Sequence, residues 1–125
     1  MHLDTHVVVW LFAGSVDVFP PTVRALLDSE PLSVSPMVSL ELDLLHEIGR
    51  TGRPAITVLA ELQRTIGLTI SAATFADVVS AAADLHWTRD PFDRLISAQA
   101  IAENQQLLTR DRRIRANLSV ARWDE

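Results

Sequence analysis

The chain has 125 residues, 48% hydrophobic and 22% charged, with a formal net charge of −5. That length and balance suit a single compact soluble domain over 1–125, large enough to bury most of its apolar surface. The absence of cysteine excludes disulfides and thiolate metal sites and suits a reducing cytoplasm, and the acidic sum argues against nonspecific duplex binding. No apolar run approaches the ~18 residues of a membrane span.

The opening MHLDTHVVVW meets an acid at Asp4 and has no basic leader, so no secretory signal is expected. MHL predicts a strand ending near Asp4. The next residues point two ways: Val7, Val8 and Val9 favour a strand by β-branching, whereas Val8, Leu11 and Phe12 share a helical face. VFPPTVRALLDSEP predicts a turn with proline entering a helix over 21–29, and LSVS, 32–35, a short strand. PMVSLELDLLHEIGR, 36–50, is helical by spacing and stops near Gly49 or Gly52; PAITVLAELQRTIG is a second helix to about residue 66, followed by the strand LTI, 68–70. TFADVVSAAADL is helical, with Thr74 and Asp77 placed for a capping box. A helix over 91–104, an LLT strand, an arginine-rich turn and a last strand within LSVARW complete the chain. Short strands alternating with amphipathic helices predict an α/β layered fold with a mainly parallel sheet.

Functional candidates emerge from asking which acids interrupt an apolar face. Glu41 shares its predicted face with Met37, Val38, Leu44, Leu45 and Ile48, and no basic residue lies there to offset it. Asp43 and Glu47 fall on another side, with Arg50 placed for an ordinary ion pair to Glu47. In RDPFDRLISAQA, Asp90 before Pro91 is a good helix N-cap, whereas Asp93 aligns with Ile96 and Ala100 on the packing side. Asp93 is open to a second explanation, an acid favoured in the first turn by the helix dipole. Asp111, after QLLT, is open to another, a cap for the RRIR turn. Asp4 and Asp111 both follow strands, and in parallel sheets the loops leaving strand C-termini gather at one crevice.

Four carboxylates in one small pocket require a counter-charge. All-oxygen ligation selects Mg²⁺ or Mn²⁺, an ion able to activate water and stabilise charge on a phosphoryl oxygen. All eleven basic residues other than histidine are arginine, and seven of them lie from Arg89 onward. Arg112, Arg113 and Arg115 are candidates for holding a phosphate backbone, and Arg94 for pairing with Asp93 or Asp90. The patch is equally consistent with a solvated terminal face.

With DTH at the start, PMVSLELDLLHEIGR in the middle, and DPFDRLISAQA followed by LLTRD, the sequence resembles the PIN-domain ribonucleases, and more narrowly the VapC toxins of bacterial type II toxin–antitoxin pairs. The resemblance runs nearly end to end. It implies a PIN-like three-layer α/β/α fold, an acidic quartet on Asp4, Glu41, Asp93 and Asp111, and a supporting hydroxyl at Thr109. It further implies endoribonuclease activity with Mg²⁺ or Mn²⁺, a homodimer, and inhibition by a cognate antitoxin protein. It also makes HVVVWLFAG a helix. Many relatives have tryptophan before the helix glutamate where Leu40 stands here, which keeps Glu47 as an alternative to Glu41. Apolar surface on the helices at 21–29, 36–50 and 54–66 leaves room for a dimer face or an inhibitor groove.

Two rival classes make different demands. A non-catalytic PIN-like interaction module would not need all four acids. A phospho-acceptor domain needs a lysine near its aspartates, and this chain has no lysine. His2, His6, His46 and His86 form no recognisable metal-ligand spacing and are expected to be structural.

Overall fold

A computed structural model describes residues 1–124. Five two-residue strands, β1 (His2–Leu3), β2 (Ser33–Val34), β3 (Thr69–Ile70), β4 (Leu107–Leu108) and β5 (Ala121–Arg122), form one sheet in the order β3-β2-β1-β4-β5. Every pairing is parallel, with His2 beside Ser33 and Leu107. The central strands are buried, so no solvent-facing alternation marks them in the sequence.

The helices are α1 (Thr5–Ala13), α2 (Pro21–Ser29), α3 (Pro36–Glu47), α4 (Ala55–Ile66), α5 (Phe75–Ala82), α6 (Pro91–Ala102) and α7 (Arg112–Asn117), with a single 3₁₀ turn at Val16–Val18. The three-layer α/β/α class is the observed one, and the sheet is wholly rather than mainly parallel.

The start of the chain is helical. Asp4 accepts a hydrogen bond from the Thr5 amide, and Gly14 closes α1 in the left-handed region at φ 71°. Val7 and Val8 are completely buried in the main core. Burial of that kind outweighs the few tenths of a kcal/mol, roughly, by which β-branched residues disfavour a helix.

Helix α3 ends earlier than its spacing predicts, at Glu47, and the chain turns at Gly49 with φ 78°. Its buried line is Val38 and Leu42, so the packing face is rotated from the predicted one, leaving Leu44 39% and Ile48 67% exposed. Asp43 is not a solvated acid: its Oδ1 accepts from the Ala55 amide at 2.8 Å and caps α4 from twelve residues away. That contact serves where Pro54, standing at the cap position, offers no side-chain acceptor. Glu47 is exposed, and the ion pair predicted for it with Arg50 is absent among the described residues.

Thr74 caps α5 through the Asp77 amide. Arg94 reaches neither Asp90 nor Asp93. Its guanidinium donates instead to the carbonyls of Ala82 and Ala83, at 2.8 and 3.2 Å, satisfying the open end of α5. The arginine-rich turn is a helix, α7, begun by Asp111, whose Oδ1 accepts from Ile114 N–H at 2.9 Å. No helix among the described residues is long and apolar enough to cross a membrane.

Candidate active site

In the strand order β3-β2-β1-β4-β5 the connections run outward on one side of β1 and then cross to β4, which makes the gap between β1 and β4 the topological switch point. Crevices beyond the strand C-termini at such a point are where α/β sheets bind ligands. Asp4 leaves β1 there, and Thr109 and Asp111 leave β4. A cleft of about 260 Å³ opens at this place, with Asp4, Glu41, Asp93 and Asp111 all in its wall. All four predicted acids therefore meet; Glu47 does not line the cleft. A larger groove of about 680 Å³ lies between α4 and β3, but its one acid, Asp43, is already occupied as a cap.

Asp4 is the anchor, 4% exposed and held from two directions. Its Oδ1 accepts from Thr5 N–H at 2.8 Å, and its Oδ2 from the Thr109 hydroxyl at 2.7 Å. The Thr109 oxygen in turn accepts from the Asp111 amide at 3.1 Å. Thr109 thus spans the switch point, tying the end of β1 to the loop that carries Asp111. Asp90 accepts from the amides of Phe92 and Asp93, at 2.8 and 3.1 Å, which fixes the first turn of α6 and delivers Asp93 to the cleft. Capping and cleft-lining are not alternatives at Asp111, whose side chain does both.

The electrostatics record crowding. Burial, reinforced by Asp90, Asp4, Asp111 and Glu41, pushes the Asp93 carboxyl up to about 7. Burial likewise raises Glu41, with Asp4 and Asp90 adding to it and the Thr5 hydroxyl opposing. Repulsion among these acids is therefore unrelieved.

Every donor available from the quartet is oxygen, the chemistry of a hard divalent cation. Among the described residues no three acidic or imidazole groups stand close enough together to hold a metal ion as placed, so the four acids share a cleft wall without forming a ready-made cage. The all-oxygen donor set and the mutual repulsion of these acids fit a divalent ion.

Three further residues stand in the wall: His6, expected to be structural, Arg50, expected to pair with Glu47, and Trp10, to which the sequence assigns no role. His6 Nε2 accepts from the Arg110 amide at 3.0 Å, which places its proton on Nδ1, 3.5 Å from Asp4 Oδ2. Burial lowers its pKa against the pull of Asp4 and Asp111. His6 and Trp10 are one helical turn apart, their rings 4.8 Å between centroids, a spacing legible once α1 is known to be a helix. His2 and His46 are structural as expected, the first against Glu103 at 2.5 Å and the second against the Thr51 carbonyl at 3.0 Å.

Of the three predicted phosphate-holding arginines, Arg113 donates to the Trp87 carbonyl and Arg115 to that of Arg110. Arg112 is exposed on α7.

Comparison with known proteins agrees with this geometry. The PIN domain family model matches residues 1–117. Ribonuclease VapC22 of Mycobacterium tuberculosis is 35% identical over 121 residues, an overlap covering 92% of this chain and 89% of the relative. A chain from the crystal structure of VapBC2 from Rickettsia felis, bound to a DNA fragment from their promoter, superposes with a TM-score of 0.67 at 22% identity, over 98% of each chain. That likeness is one of fold. With an acidic cleft at the switch point of an all-parallel sheet, a family model matched almost end to end and a relative aligned over nearly its whole length, the chain belongs to the PIN-domain family, in its VapC branch.

Proposed function

We propose that this protein is a divalent-cation-dependent endoribonuclease and the toxin of a type II toxin–antitoxin pair. The observation that carries the reading is the meeting of Asp4, Glu41, Asp93 and Asp111, from four separate chain segments, in one cleft. Its relation to a protein named as a ribonuclease supports RNA as the substrate, and the VapBC2 likeness supports an antitoxin partner.

Asp4, Glu41, Asp93 and Asp111 would hold Mg²⁺, with Mn²⁺ as a substitute. Bound there, the ion supplies Lewis-acid stabilisation of phosphoryl charge and lowers the pKa of a coordinated water. The protein's own part is positioning. Thr109 and the Thr5 amide lock the Asp4 carboxylate in one rotamer, and Asp90 orients Asp93 through the α6 amides. Glu41, raised by burial, is the candidate for taking a proton from the attacking water. Arg112, exposed beside the cleft-lining Asp111, serves as an outer contact for the RNA backbone, with Arg113 and Arg115 fixing the loop below it. The protein is proposed to act in the cytoplasm, as a homodimer until its antitoxin covers it.

The test is cleavage of RNA in Mg²⁺ by the wild type, Asp4→Asn and Asp93→Asn. Loss of activity in both variants is expected, and full activity in both refutes the assignment. The rival, a non-catalytic interaction module, is separated by calorimetric titration with Mn²⁺, which an inert scaffold would not bind at this cleft.

A further inference from the structure

The cleft keeps its opposite charges apart. Four carboxylates line it, yet among the described residues none is paired with an arginine; the one ion-pair distance in the wall is His6 to Asp4. One arginine nonetheless lines the cleft, and a second lies against a ring of its wall. Arg50 follows α3 and lines the wall beside Leu45 and Thr51. Arg110 precedes Asp111, with its guanidinium carbon 6.0 Å from the centroid of the Trp10 ring, itself part of the wall.

Both side chains are exposed, and among the described residues neither guanidinium donates a hydrogen bond. Arg94, Arg113 and Arg115, by contrast, spend donors on backbone carbonyls. An exposed guanidinium beside free carboxylates ordinarily finds one. Here hydrogen bonds already engage two of the acids, and an aromatic ring engages one of the arginines. Asp4 is turned inward onto Thr109 and Thr5, Asp111 onto the Ile114 amide, and Arg110 lies over an indole.

We propose that Arg50 and Arg110 form a two-armed phosphate clamp for single-stranded RNA, one arm following α3 and the other following β4. The inference rests on the ribonuclease reading and deepens it by naming the residues and the form of the substrate. Arg110 comes just after β4, the strand beside β1, and Arg50 follows α3, which contributes Glu41 and Leu45 to the same wall. Each guanidinium fork matches the oxygens of a phosphate next to the scissile one, while the scissile group faces the acids. The Trp10 ring, half-buried and backed by Phe19 and Trp123, gives the exposed Arg110 guanidinium a fixed face to lie against. A single flexible strand, whose phosphates can follow the two arms, suits this arrangement better than a stiff duplex.

The experiment measures the affinity of a fluorescein-labelled oligouridylate for the full-length protein in EDTA, by anisotropy, across KCl from about 50 to about 300 mM. The same salt slope is read from log KM for cleavage in Mg²⁺. Each lost phosphate contact on a single strand lowers the slope of log affinity against log salt by about 0.7. Arg50→Ala and Arg110→Ala are each expected to lose about that much, and the double variant about 1.4. Arg50→Lys and Arg110→Lys, which keep the charge, should retain the slope; this separates lost charge from lost folding. Arg64→Ala, on α4 and paired with Glu61, should leave it unchanged. Slopes in both alanine variants equal to that of the wild type overturn the clamp while leaving the nuclease intact. A wild type that neither binds nor cleaves the RNA overturns the ribonuclease reading, and the clamp with it.

Discussion

Replacing Asp93 by asparagine should make the metal-free protein more stable above neutral pH, at a site where losing an acid should abolish activity. The Asp93 carboxyl is moved from 3.8 to about 7, chiefly by burial and then by Asp90, Asp4, Asp111 and Glu41. At ~1.4 kcal/mol per tenfold, that displacement corresponds to about 4 kcal/mol against the ionised folded state. The side chain is only half-buried, and solvent screening reduces the figure to ~2 kcal/mol. The sign follows from proton uptake. Between about pH 4 and 7 the folded protein holds a proton at Asp93 that the unfolded chain has released, so this contribution to stability falls as pH rises through that window. Asparagine has the same shape and no proton to lose. Urea denaturation in EDTA should therefore show the wild type and Asp93→Asn nearly equal at about pH 4 and the variant ahead by ~2 kcal/mol at about pH 8. Saturating Mg²⁺ should erase or reverse the difference, since a cation bound only to the folded wild type stabilises it by mass action. Parallel pH profiles for the two proteins in EDTA would refute the reasoning, because Asp93 would then be ionising as an ordinary surface acid.

Thr109→Val removes the hydroxyl that donates to Asp4 Oδ2 and accepts from the Asp111 amide while keeping the side chain's volume. A loss of about 10–100-fold in Mn²⁺ affinity by calorimetry, with a matching fall in RNA cleavage, is expected of a residue that orients a ligand. Asp43→Ala should cost about 1 kcal/mol in urea unfolding by uncapping α4, and should leave RNA cleavage per folded molecule unchanged.

The acidic quartet was visible as chemistry before it was visible as geometry. Carboxylates at Glu41 and Asp93 stand out because each interrupts an apolar helical spacing, a one-dimensional signal. The same logic misplaced Leu44 and Ile48, because helix α3 chooses its buried line by what lies beneath it, and Val38 and Leu42 are what the sheet receives. Asp43 looked like a surface acid because its partner, the Ala55 amide, belongs to another helix. Arg94 and Arg113 looked free to meet carboxylates or phosphate because nothing in the chain order announces that carbonyls at Ala82, Ala83 and Trp87 will be left open beside them.

Local sequence alone determined the alternation of strands and helices, the caps at Asp90, Thr74 and Asp111, and the residue types capable of holding a hard cation, all of which depend on neighbours a few positions away. Only the tertiary structure decided that Val7 and Val8 are completely buried, that β1 sits between β2 and β4, and that His6, Trp10 and Arg50 share the cleft with the acids while Arg110 lies over Trp10. The reason is the same in each case. Burial and strand order are properties of contacts between distant segments, and their free energy exceeds the local preferences that a linear reading can weigh.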